Sequence, residues 1–382
     1  MVILNRNILN IIKNSSKSLL LLGPRQTGKS TLLRALHPEL VIDLADEREF
    51  LSFARNPGEI FARVEGRGPR TILIDEVQRI PSLLNSIQSL LDRDKSLRFF
   101  LSGSSARKLA RGQANLLPGR IISLKLGPLV AAELDYRLNE GRALGTGTLP
   151  GIYLDESQSD RLAVLDSYAA TYVREEVQAE ALTRNLEGFS RFLFVAASRA
   201  TDFLDYTKLA NTSSITRQSA IRFFEILEET LIVHRCDAFA KSGKRRLVQH
   251  PRYFFFDNGV LNALLGNYTV SDDRIGMLFE NLVYTQLLNS ANSTGKRIRI
   301  TNYRTEHGAE VDFVCELEGE VWAIEAKASR NIGRDDITGL KSFADFYKKP
   351  HRAVVAYMGA HAKRIDGVDV LPWQDLLRAM KI

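Results

Sequence analysis

Cysteine is nearly absent: Cys236 and Cys315 are the only two in 382 residues, each in an apolar stretch with no histidine or second cysteine at metal-ligand spacing. That excludes a disulfide scaffold and a zinc-finger framework, and the pair reads as buried thiols of a reducing compartment. No window approaches the roughly eighteen uninterrupted apolar residues of a membrane span, so no membrane partner is expected. The first ten residues interrupt their apolar side chains with Arg6 and three asparagines, so no signal peptide is evident and a cytoplasmic protein is the expectation. One-sided charge is also missing. Lys+Arg is 52 against Asp+Glu 45, a net charge of +7, which permits nucleic-acid binding without demanding it. Hydrophobic residues at 45% and charged residues at 25% exclude disorder, and the length suggests two or three domains at about 150 residues each.

What is present is an alternation. Short apolar runs at 19–22, 40–44, 71–74, 97–101 and 121–126 are separated by longer helical stretches, the pattern of strands buried on both faces of a parallel α/β sheet. Residues 139–151 carry four glycines and a proline, which reads as a linker and sets a boundary near 150. Helical periodicity then dominates to about residue 229, and two strand-like runs, 231–239 and 247–256, flank a basic tip. Helices followed by a hairpin predict a winged helix-turn-helix over 151–265, with 215–229 as recognition helix. A third α/β unit, a helix and then strands, occupies 266–382.

Gly23-Pro24-Arg25-Gln26-Thr27-Gly28-Lys29-Ser30, followed by Thr31, fits the phosphate-binding pattern G-x-x-x-x-G-K-[ST] between a strand and a helix. Its glycines let several backbone N–H groups face one phosphate. Lys29 would reach the β- and γ-phosphates of ATP, and the Ser30 hydroxyl would ligate Mg²⁺. Thr71-Ile72-Leu73-Ile74-Asp75-Glu76-Val77-Gln78 is a hydrophobic strand ending in an acidic pair, with Asp75 for the magnesium shell and Glu76 to polarise water, so hydrolysis is expected as well as binding. Ser102, ending the next strand, is the candidate γ-phosphate sensor.

In the third unit, a two-residue turn at Glu318-Gly319 would set Asp312 opposite Glu325, with Lys327 and Glu310 on the same face. Two facing carboxylates with a lysine beside them are the arrangement of Mg²⁺-dependent nucleases. In the middle segment Thr216, Arg217, Ser219 and Arg222 near the helix start, and Lys241, Lys244, Arg245 and Arg246 at the hairpin tip, are candidate DNA contacts.

These motifs together, with Leu117-Pro118-Gly119-Arg120, Gly127-Pro128-Leu129 and the segment Phe256-Asp257-Asn258-Gly259, resemble a family of prokaryotic AAA-type (P-loop) ATPases. Its members carry a carboxyl-terminal domain of unknown function with a PD-(D/E)xK nuclease-like core. The chain departs from that pattern at Gly147-Thr148-Leu149-Pro150, where a second glycine is usual, and at Glu176, where aspartate is usual. The resemblance implies Glu280 as a further nuclease carboxylate. It implies a homo-oligomer, a ring being one form, in which an arginine completes the neighbouring ATP site: Arg120 first, Arg107 or Arg111 next. The expected function is ATP hydrolysis coupled to DNA binding or processing. The alternatives are a regulatory NTPase with a silent nuclease-like domain, and a nucleotide-stabilised toxin or defence component.

Overall fold

The computed structural model describes residues 5–104, 119–173, 186–239, 247–248 and 250–382. Arg107, Arg111, Glu176, Lys241, Lys244, Arg245 and Arg246 lie outside the described residues. The chain divides into two compact units, residues 1–127 with 229–231 and residues 128–228 with 232–382.

In the first unit α1 (Ile8–Asn14) precedes β1 (Ser18–Leu22), α2 (Lys29–Arg34), β2 (Leu40–Asp43), α3 (Glu47–Arg55), α4 (Glu59–Arg67), β3 (Thr71–Asp75), α5 (Leu83–Arg93), β4 (Arg98–Gly103) and β5 (Ile121–Lys125). All four neighbouring pairs are parallel, in the order β2-β3-β4-β1-β5. The continuous apolar runs are explained by the two faces. Leu19, Leu21, Leu73 and Phe100 pack with Ile8, Ile12, Leu32 and Leu33 on one side. Leu20, Leu22, Ile72, Ile74, Phe99 and Leu101 pack with Phe53, Ile60, Leu84 and Ile87 on the other. Each such side chain, fully buried, contributes about 1.5–3 kcal/mol. This order puts the carboxyl ends of β1, β4 and β3 side by side, which brings the glycine-rich loop to the acidic pair.

The second unit begins with α6 (Glu140–Thr146), α7 (Pro150–Tyr153) and α8 (Gln158–Ser167), then α9 (Leu186–Ser198), α10 (Tyr206–Thr212) and α11 (Arg217–Glu229). The hairpin of β6 (Val233–Ala238) and β7 (Arg252–Phe255) follows, then α12 (Asn258–Leu265) and the long α13 (Ile275–Ser293). Next come β8 (Ile298–Arg304), β9 (Glu310–Leu317), β10 (Glu320–Lys327), α14 (Thr338–Tyr347), β11 (Arg352–Tyr357), β12 (Lys363–Ile365), β13 (Val368–Pro372) and α15 (Trp373–Ala379). Phe189, Phe192, Phe223 and Phe224 form an aromatic cluster among α9 and α11, while Arg217 and Arg222 are exposed. No described helix is long and apolar enough to cross a membrane.

Two expectations change here. The glycine-rich segment 139–151 is no linker: Ala143, Leu144, Thr146, Thr148 and Leu149 are buried in the second unit. Gly147, at φ +73°, lies so close to Asp257 that a Cβ would overlap its carboxylate. Glycine needed for close approach looks, in sequence, like glycine needed for freedom. The hairpin and the third segment also do not form separate sheets. β6 pairs in parallel with β8, Asp237 facing Thr301 and Ala238 facing Asn302, so one eight-stranded sheet runs β12-β13-β11-β10-β9-β8-β6-β7.

α14 covers one face of that sheet through Leu340 and Phe343. Its Gly339 meets the start of β9 so closely that a Cβ would overlap the Glu310 carbonyl oxygen, a backbone atom that cannot rotate away. Gly339→Ala is therefore expected to destabilise the chain by about 2–3 kcal/mol as an overpacked core site, read as a lower urea midpoint with unchanged slope.

Candidate functional site

The loop after β1 is built on close backbone approach. A Cβ at Gly23 would overlap the Leu126 carbonyl oxygen, and Gly28 takes φ +89° immediately before α2. Thr27 donates its hydroxyl to the Pro24 carbonyl at 2.9 Å. Pro24 and Thr27 are buried, whereas Arg25, Gln26 and Thr31 are exposed along the rim. Arg6, not singled out by the sequence, braces the loop: buried, it donates to the Thr27 and Gly127 carbonyls at 2.8 Å each. No motif marks it, because its partners are backbone oxygens. Lys29 is buried and its ammonium donates to the Gly23 and Pro24 carbonyls at 2.8 Å each.

Asp75, only 3% exposed, is the centre of this site. Its Oδ1 accepts from the Ser30 hydroxyl at 2.9 Å and from the Ser102 hydroxyl, and its Oδ2 lies 3.8 Å from Arg34. Ser30 and Asp75 thus converge from two elements on one point, an oxygen donor set that fits Mg²⁺ held with a nucleotide. Ser102 is fully buried beside the acidic pair: it donates to Asp75 and accepts from the Glu76 N–H at 3.0 Å, which helps hold that pair in place. Glu76 sits at φ +57°, and its Oε2 accepts from Gln78 and, at 3.5 Å, from Ser104. Gln78 and Ser104, missed as site residues, aim the Glu76 carboxylate. Arg120 forks onto Asp92, Nε to Oδ1 at 2.8 Å and Nη2 to Oδ2 at 3.1 Å.

The second unit holds another ionic cluster. Glu318 and Gly319 take φ +48° and +88°, and the strands pair with Leu317 facing Glu320 and Phe313 facing Ile324, the register expected from a two-residue turn. Asp312 on β9, Glu325 and Lys327 on β10 and Glu280 on α13 accordingly gather. Their partner is Arg252, the first residue of β7. Its Nη1 meets Asp312 Oδ1 at 3.2 Å, its Nη2 pairs with Glu280, and its Nε donates to the Thr201 carbonyl. Asp312 Oδ2 accepts from the Ala326 N–H at 2.9 Å, and Lys327 donates to Glu325 Oε1 at 2.8 Å. Glu325 Oε2 is buried without a hydrogen-bond partner.

Burial, then the nearby Asp312 charge, pushes Glu280 and Glu325 up to about 8, with Arg252 and Lys327 pulling the other way. Burial disfavours the Arg252 charge too, but Glu280 and Asp312 outweigh it and raise its pKa. Among the described residues no three acidic, histidine or cysteine side chains are arranged to hold a metal ion. Of the expected metal set, Glu280 and Asp312 pair with Arg252 and Glu325 pairs with Lys327. The one sequence signal for Arg252 is a charge heading the aromatic run Tyr253-Phe254-Phe255-Phe256.

Both cysteines are free and buried, and burial pushes the Cys236 thiol up to about 12, which keeps it protonated and inert.

Residues 15–134 match the model of a family described as an AAA domain, and residues 141–271 and 275–376 match two families described as domains of unknown function, DUF8612 and DUF4143. Uncharacterized proteins of Mycobacterium tuberculosis and Mycobacterium bovis are each 28% identical over 323 residues, 81% of this chain and 69% of the relative. One from Haemophilus influenzae is 20% identical over 91% of both chains. Among solved structures, the replication initiator DnaA bound to AMPPCP and single-stranded DNA aligns with 58% of this chain and 86% of its own, at 14% identity and a TM-score of 0.27. A Vibrio cholerae protein aligns with 95% of this chain and 96% of its own, at 12% identity and a TM-score of 0.22. The part of the chain that carries the glycine-rich loop and the acidic strand is, by its family match, similar to AAA-type ATPase domains.

Proposed function

We propose that the first unit binds MgATP and hydrolyses it, and that turnover is coupled to DNA held by the second unit. The observation that carries the first half is the convergence of Ser30 and Asp75 at 2.9 Å, with Glu76 next on the same strand and Lys29 at the loop. Incoming phosphates compete with the Gly23 and Pro24 carbonyls for the Lys29 ammonium, a charge-assisted exchange that favours the nucleotide. Ser30 and the shell of Asp75 would hold Mg²⁺, which when bound would supply charge neutralisation for phosphoryl transfer. Glu76, oriented by Gln78 and Ser104, accepts a hydrogen bond from the attacking water. In an oligomer, Arg120 would have to leave Asp92 to reach a neighbouring site.

DNA enters as a proposal supported by two features. Three helices and a hairpin occur in winged-helix order, with Arg217 and Arg222 exposed on α11. Arg199, Lys208, Arg252 and Arg304 line a cavity of about 520 Å³ in the same unit, together with Asp202, Asp205, Glu280 and Glu310. α13, the β8–β9–β10 meander, α14 and the parallel strand β11 follow in an order that supports a nuclease-like reading of this part. Strand cleavage is not part of this proposal, because Arg252 occupies the acidic cluster. That same observation favours a second reading, a regulatory ATPase whose nucleotide state controls assembly.

ATP turnover with and without DNA separates the two. A several-fold stimulation by DNA in the wild type, abolished in Lys29→Ala, supports coupling to DNA. Indifference to DNA together with ATP-dependent assembly supports the regulatory reading.

A further inference from the structure

We infer that Arg252 permanently takes the place a divalent cation would hold among Glu280, Asp312 and Glu325, so that the second unit holds no catalytic metal and cuts no phosphodiester. The cluster instead fastens α13 and the loop after α9 to the sheet.

Asp312 and Glu325 face each other across a hairpin, which in water-free surroundings demands a positive charge between or beside them. A metal-dependent site leaves carboxylate oxygens open to an ion and its waters. Here most of them are taken. Asp312 spends one oxygen on Arg252 and the other on the Ala326 N–H. Glu280 is bound to Arg252, and Glu325 is half spent on Lys327. Arg252 is 5% exposed, and its guanidinium carbon lies 5.3 Å from the ring centroids of both Phe203 and Phe254. A planar fork held by three polar partners and two rings is not a side chain waiting to be displaced.

Access agrees with this. The 520 Å³ cavity reaches the cluster only at Arg252 and Glu280; Asp312, Glu325 and Lys327 do not line it. A phosphodiester entering there meets a guanidinium and not the facing carboxylates. Charge agrees as well. Arg252 and Lys327 already offset two of the three carboxylate charges, so a dication would leave the cluster with excess positive charge.

The inference is independent of ATP hydrolysis and is tested without it. Mn²⁺ binding to the full chain, in an Asp75→Ala background that removes the nucleotide-site carboxylate, is followed by electron paramagnetic resonance and by melting temperature. The expected result is no saturable ion, a shift below about 1 °C at millimolar Mn²⁺, and no difference on adding Glu325→Gln. One Mn²⁺ per chain, lost with Glu325→Gln, overturns the inference. Arg252→Gln removes the resident charge, and its melting temperature is expected to rise by about 5 °C or more with millimolar Mn²⁺. A folded Arg252→Gln chain that gains no ion would refute the placement. If that variant does not fold, the Glu325→Gln comparison still decides. ATP turnover of Arg252→Gln made with Asp75 intact reports separately on the first unit.

Discussion

Glu76→Gln is expected to lower ATP turnover at least about a hundredfold while leaving MgATP affinity within a few-fold. Lys29→Ala is expected to lose both. The difference follows from what each side chain does. Lys29 is a buried cation that donates to two neutral carbonyls, and phosphates offer it a far better partner than these and bind through it in ground and transition states alike. Glu76 stands off the loop, its carboxylate aimed by Gln78 and Ser104, and contributes only when water attacks. Glutamine keeps the size and one acceptor but loses the charge that polarises that water. Phosphate release and nucleotide titration on the two variants check the split. Glu76→Gln turning over at half the wild-type rate would remove Glu76 from the reaction.

Asp257→Ala is expected to destabilise the chain by about 3 kcal/mol, since several buried backbone donors lose their acceptor at once. Thr148 N–H donates to Oδ2 at 2.7 Å and Val260 N–H to Oδ1 at 3.2 Å, and the N–H groups of Gly259 and Leu149 add to these. The aspartate both caps α12 and fixes the segment between α6 and α7. Burial nevertheless pushes its pKa up to about 6 against the pull of those donors. An acid held above its unfolded value binds protons more tightly when folded, so its contribution falls as pH rises from about 4 to about 6. The penalty of Asp257→Ala should therefore be greater at pH 4.5 than at pH 7, as measured by paired urea melts. A penalty that grows with pH across that window would reverse the assignment.

Local signals were readable and distant ones were not. The glycine-rich loop, the acidic strand and the two-residue turn at Glu318-Gly319 are each contiguous, and each specifies its own geometry. The hairpin register followed from the turn alone. For Ser102, the end of a strand told where the hydroxyl lies but not that it meets Asp75 and Glu76. Arg252 was invisible because the residue that neutralises Asp312 comes from a strand sixty positions earlier in the chain. The parallel pairing of β6 with β8 was hidden for a related reason: a crossover leaves no turn to read.

That pairing has a consequence for how the chain can be divided. The family boundaries at 271 and 275 fall between β6 and β8, in the middle of one hydrogen-bonded sheet. A fragment beginning at 275 would carry β8 as a raw edge, with the N–H and C=O groups that met Asp237 and Ala238 turned to solvent. A fragment ending at 271 would strip the same row from β6. Unprotected strand borders of this kind recruit other chains and aggregate. The two segments of unknown function are therefore halves of one cooperative body, and inheritance or excision of either alone would come at the cost of solubility.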